Sequence, residues 1–101
     1  MNQYQKQLEE DRRLVILRTL SEIPSHTLNE SVIETTLSAI GHDYVMRKNV
    51  REDLRFLNDC GCLTIEWYDN KFMKATLTRR GVYVSQGKEL IEGIKKPSLV
   101  N

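Results

Sequence analysis

Between Val45 and Gly81 the apolar residues change period twice, and few folds accept that succession. Met46, Val50, Leu54 and Leu57 recur at spacings of 4, 4 and 3, the period of a helix with one buried face. Gly61 closes that helix. Leu63, Ile65 and Trp67 then alternate with Thr64, Glu66 and Tyr68, the mark of a half-buried strand, with Trp67 expected on the core side. Asp69-Asn70-Lys71 supplies a turn, and Asn70 tolerates positive φ. In the returning strand Phe72, Lys74 and Thr76 alternate with Met73, Ala75 and Leu77. Thr78 then caps a short helix in which Val82 and Val84 can pack back. A basic helix followed at once by a β-hairpin and a capped helix start argues against a parallel α/β sheet, in which strands and helices alternate.

The residues before this unit read as two further helices. Leu8, Val15, Leu17, Leu20 and Ile23 recur at mixed three-to-four spacing over residues 4–22, and Pro24 stops the helix. Glu9, Glu10 and Asp11 precede Arg12, Arg13 and Arg18, an order that suits the helix dipole. Ser25 to Leu28 is short enough for a brief extended segment. Thr27 and Glu30 have capping-box spacing, with Asn29 as a competing cap. The helix that follows carries Val32, Ile33, Leu37 and Ile40 and ends at Gly41. Asp43 is the expected cap of the third helix. Beyond it lies the tail, where Gly87, Gly93 and Pro97 interrupt order. A domain over residues 1–88 and a loose or partner-dependent arm over 89–101 follow.

The chain has 101 residues, enough for one domain, and 40% hydrophobic and 29% charged residues, an ordinary globular balance. No apolar run approaches the roughly 20 residues needed to span a bilayer, and the polar start lacks a signal-peptide core. A cytoplasmic location is expected, with no membrane partner. The formal net charge is only +1, with a pI near 7.8. Its distribution is uneven: residues 1–43 hold four basic and seven acidic side chains, residues 44–101 eleven basic and seven acidic. One polyanion-facing side is implied.

Arg47, Arg51 and Arg55 fall at i, i+4 and i+8 of the third helix, opposite its apolar face, with Lys48 beside them. Guanidinium forks pair with phosphates or with the O6/N7 edge of guanine, so Arg47, Lys48 and Arg51 are candidates for base or groove contact and Arg55 for a phosphate. The alternative is a solvated face, with Arg55 paired to Asp59 and the others neutralised by Glu52 and Asp53. Lys71, the one cation of the hairpin tip, is a candidate phosphate contact opposed by Asp69. Arg79 and Arg80 are expected to be solvated. Cys60 and Cys62 are too close in sequence for an unstrained disulfide and too few for a tetrahedral metal site, so they read as reduced thiols. The residues contain no phosphate loop, nucleophile elbow or metal-ligand spacing. Neither an enzyme, a cofactor nor a small-molecule ligand is expected.

Leu54, Leu57, Gly61 and Leu63, then Leu77, Thr78 and Gly81, resemble the winged-helix core of MarR- and ArsR-type bacterial regulators. There a Leu-x-x-Leu-x-x-x-Gly-Leu helix end leads into the wing and a Leu-Thr-x-x-Gly element opens the next helix; here Cys62 lengthens the first motif by one position. With Glu92-Gly-Ile-Lys-Lys-Pro-Ser98 and the short length, the chain is most similar to the small winged-helix proteins of Mu-like prophages, over about residues 8 to 98. The resemblance implies a mainly α (α+β) winged helix-turn-helix: three helices, a two-stranded wing and a short C-terminal helix. It implies a transcriptional regulator that reads double-stranded DNA with the helix at about 44–60, as a homodimer formed through the N-terminal helix and C-terminal arm. The alternative is a winged-helix adaptor that binds protein and not DNA. The cysteine pair is displaced from the ArsR metal positions, and the long terminal helices of MarR proteins are missing.

Overall fold

The computed structural model describes residues 2–98. The first helix, α1 (Gln3–Glu22), starts where the Asn2 side chain accepts a hydrogen bond from the Gln5 amide at 2.8 Å. Its second half is enclosed on several sides: Leu14, Ile16, Leu17 and Leu20 are all buried. Each leucine or isoleucine so enclosed stabilises the fold by roughly 1.5–3 kcal/mol. Past Pro24 the chain turns through His26 at positive φ into a short strand, β1 (Thr27–Asn29).

The cap of α2 (Glu30–Ile40) is Asn29, whose side-chain oxygen accepts from the Val32 amide at 2.9 Å. Thr27 is therefore not the cap. It is a strand residue whose hydroxyl lies 2.9 Å from that of Thr76. Glu30 does not reach back along its own helix but points into the interior. The buried face of α2 is also narrower than expected: Ile33 and Leu37 are enclosed, whereas Val32 and Ile40 are exposed.

Gly41 ends α2 with φ 122°, a backbone state that other residues rarely take. The next helix, α3 (Arg47–Asp59), begins later than its expected cap. Met46 holds the cap position and is exposed, not core, and the Asn49 side chain accepts from the Met46 amide at 3.0 Å. Asp43 stays in the preceding turn. The buried face of α3 consists of Val50, Asp53, Leu54 and Leu57.

The hairpin strands are β2 (Leu63–Tyr68) and β3 (Phe72–Leu77). Asp69 and Asn70 both have positive φ, as a type I′ turn requires, and the Lys71 amide bonds the Tyr68 carbonyl at 3.0 Å. The sheet is not the expected two strands alone. Leu28 pairs with Ala75, and β1 completes a three-stranded antiparallel sheet in the order β1-β3-β2. Leu63, Met73, Ala75 and Leu77 carry the sheet's buried face. Trp67 lies on that side of the pleat but is exposed, because it sits on the edge strand β2 while its partner Met73 on the central strand is buried.

Thr78 caps α4 (Arg79–Ser85), accepting from the Gly81 amide at 3.1 Å and donating to the Gly61 carbonyl at 2.6 Å. Gly81 is required by close approach: a Cβ there would lie 2.1 Å from the Cys62 carbonyl oxygen. Arg80 is not simply solvated. It bonds the Cys60 carbonyl at 2.6 Å and pairs with Glu89.

The segment expected as a loose arm packs back on α1. Ile94 is buried, the Lys95 amide bonds the Glu10 carbonyl at 3.1 Å, and Arg13 bonds the Gly93 carbonyl at 3.0 Å. Residues 99–101 of that expected arm lie outside the described residues. Among the described residues the architecture is a compact α+β arrangement of four helices and one three-stranded sheet. No described helix is long and apolar enough to cross a membrane.

Candidate nucleic-acid interface

Two buried carboxylates fix how α3 sits, and so which of its cations face outward. Asp53 is fully enclosed and accepts from Arg12 at 2.6 and 3.2 Å and from Arg13 at 3.1 Å. This ties α3 to α1. Arg13 also stacks on Phe56, 3.9 Å from the ring centre. Burial pushes the Asp53 carboxyl above its ordinary value, against the pull of Arg12 and Arg13.

Glu30 is equally enclosed, on the other flank of α3. Arg51 donates to it at 2.6 and 3.3 Å, Arg47 at 3.5 Å, and the Met73 amide donates as well. One carboxylate thus joins α2, α3 and β3. Burial raises the Glu30 carboxyl, but the arginines and the Met73 amide outweigh it and hold the group below its usual range.

The expected cationic row therefore divides. Arg47 is bound to Glu34 at 2.6 Å as well as to Glu30. Arg51 is a strut: besides Glu30 it bonds the Lys71 carbonyl at 3.3 Å and lies over Trp67, 5.2 Å from the ring centre. It fixes the hairpin to the helix. The acids that meet these arginines are Glu30 and Glu34 of α2, not Glu52 and Asp53. Lys48 and Arg55 are exposed and have no hydrogen bond or ion pair among the described residues, and Arg55 makes no pair with Asp59. The Lys71 side chain is likewise exposed and unpaired among them, beside the Asp69-Asn70 turn.

The site thus has a cationic pair on the outermost face of α3, two arginines held half-exposed at its rim, and a hairpin pinned alongside. It can receive a polyanion or the edge of a groove. Neither of the carboxylates that set this up is among the expected site residues. For Asp53 a signal was present, since it falls among Val50, Leu54 and Leu57 on the helix wheel. For Glu30 no local signal existed, because its partners are far along the chain.

A second surface lies between β1, Val32 of α2 and the end of the hairpin. Leu28, Val32, Tyr68 and Phe72 line an apolar groove of about 420 Å³, with Asn29 and Lys74 at its edge. The cysteines take no part in either surface. Cys62 is buried, which pushes its thiol up to about 11, and no described group of three or more potential ligands could hold a metal.

The chain is of the α+β class with a three-stranded antiparallel sheet carried on a helical core. It is 40% identical over 90 residues to gp26 of Escherichia phage Mu, a protein described as uncharacterized, covering 89% of this chain and 91% of that one. It is also 40% identical over 77 residues to an uncharacterized protein of Haemophilus influenzae, covering 76% of this chain and 74% of that protein. The chain belongs to the family of phage Mu gp26. No family profile and no solved structure matches it.

Proposed function

We propose that this chain is a winged helix-turn-helix protein that docks α3 and the β2–β3 hairpin on duplex DNA, as a regulator in a phage or prophage setting. The observation that carries the reading is the arrangement of elements. The order helix, strand, helix, helix, strand, strand, with the sheet ordered β1-β3-β2 and the hairpin tied to α3 through Arg51, supports a winged-helix reading. Lys48 and Arg55 supply the free cations of that face, and Lys71 reaches an adjacent phosphate. Arg47 and Arg51 act from the rim, Arg51 chiefly by positioning the hairpin. Kinship with a phage Mu protein supports the setting. Two copies would place two α3 helices about one helical turn, roughly 34 Å, apart on a two-fold site.

The pairing of Arg47 and Arg51 with acids of α2 lowers the phosphate attraction of this face. Modest affinity and a shallow salt dependence follow. Fluorescence anisotropy against a mixed duplex pool at low and at physiological salt tests the reading. Binding that weakens with salt and enriches particular sequences supports it, and absence of binding at low salt removes it.

The second reading is a protein-docking adaptor, favoured by the groove between Val32, Tyr68 and Phe72. Exposed aromatic side chains around an apolar floor suit an apolar anchor from another protein. It takes precedence if the pool experiment fails.

A further inference from the structure

The outermost face of α3 is not uniformly basic. Lys48, Glu52, Arg55 and Asp59 follow one another along it at spacings of four, three and four, all exposed and all without an ion pair among the described residues. A face that bound only phosphates would gain nothing from a carboxylate between its two free cations, since Glu52 repels the backbone it approaches. That carboxylate is favourable against an exocyclic amine in the major groove, and cytosine N4 is the base-edge amine that pairs best with it.

We propose that Glu52 is a specificity-determining residue that accepts a hydrogen bond from the N4 amine of a cytosine, flanked by Lys48 and Arg55. The inference rests on the DNA-docking reading above. Its geometry comes from the neighbouring residue. Asp53 is anchored to Arg12 and Arg13, which fixes the roll of α3 about its axis. Glu52, one residue earlier, is then held about 100° around the helix, pointing outward. Lys48 and Glu52 lie about 6 Å apart along the axis, close to two base-pair steps of about 3.4 Å each. Both fall in the first half of the helix, the part that helix-turn-helix readers bring to base edges. Asp59, in the last turn, lies beyond it.

The test compares the wild type with Glu52→Gln on sequences selected by the wild type from a randomised duplex pool. Circular dichroism checks that the exposed substitution leaves the fold intact. The wild type should prefer cytosine at one position by about 5- to 150-fold over other bases. Glutamine pairs best with adenine, so Glu52→Gln should move that preference to adenine while leaving the preferences at other positions unchanged. A variant that binds every sequence more tightly by the same factor, with preferences unaltered, would overturn the inference and leave the DNA-docking reading standing. So would a wild type that binds duplex DNA without sequence preference. A wild type that binds no DNA at low salt removes both.

Discussion

The two flanks of α3 use the same parts to different ends. On one flank Asp53 meets Arg12 and Arg13, whose side chains are only 11% and 13% exposed. On the other Glu30 meets Arg47 and Arg51, at 37% and 32%. Both carboxylates are enclosed, yet their proton affinities move in opposite directions. Burial wins at Asp53; at Glu30 a backbone amide joins the arginines, and together they win. The Asp53 cluster is scaffold: its cations have nowhere else to go. The Glu30 cluster is a rim: its cations keep one side open to solvent. A buried carboxylate with two arginines is thus no fixed device, and the access left to the arginines decides whether they are locked into the packing or stay open to solvent.

The largest expected effect is at Asp53. Asp53→Ala leaves Arg12 buried without a counter-charge and Arg13 with only Glu9, and should cost about 3–5 kcal/mol in urea unfolding. Glu30→Ala should cost less, about 1–3 kcal/mol, chiefly from the Met73 amide left without an acceptor, because Arg47 and Arg51 can turn to water. Equal losses, or a larger one at Glu30, would break the contrast between scaffold and rim.

A smaller effect sharpens it. Because the Glu30 carboxyl is held low, its contribution is present above the ordinary glutamate value and is lost as pH falls through the folded value. Because the Asp53 carboxyl is held high, the folded state binds that proton more readily, and stability from this group rises as pH falls from its folded value toward the ordinary one. Unfolding free energies measured from pH 6 down to about pH 3 should therefore fall less steeply for Glu30→Gln than for the wild type, and more steeply for Asp53→Asn. The same slope in all three proteins would contradict the opposite shifts.

What the sequence made legible was local. The helix ending at Glu22, the glycine at position 61, the alternation through Leu63 and Met73 and the Thr78 cap with Gly81 each depend on neighbours a few residues away, and the structure contains them. Asn29 displaced Thr27 as a cap because Thr27 is drawn into a three-residue strand by β3, a pairing no local pattern announces. Met46 and Trp67 both fit an apolar period yet are exposed, Met46 because it sits at the cap ahead of α3 and Trp67 because it lies on an edge strand. The site was half legible. The basic row on α3 could be read, but not which of its members were already engaged, since Glu30 and Arg51 meet across 21 residues of sequence and Arg12 and Asp53 across 41. Charge spacing on one helix says which side chains share a face; only the fold says which acids face them.

The deciding measurement is duplex binding by the double variant Lys48→Ala/Arg55→Ala, set beside the wild type at low salt on a selected sequence. Both residues are exposed and unpaired among the described residues, so the unfolding midpoint should not move. Binding should weaken by about tenfold or more, with a shallower salt slope. An isotherm that superimposes on that of the wild type would contradict the assignment of the outer face of α3 to DNA.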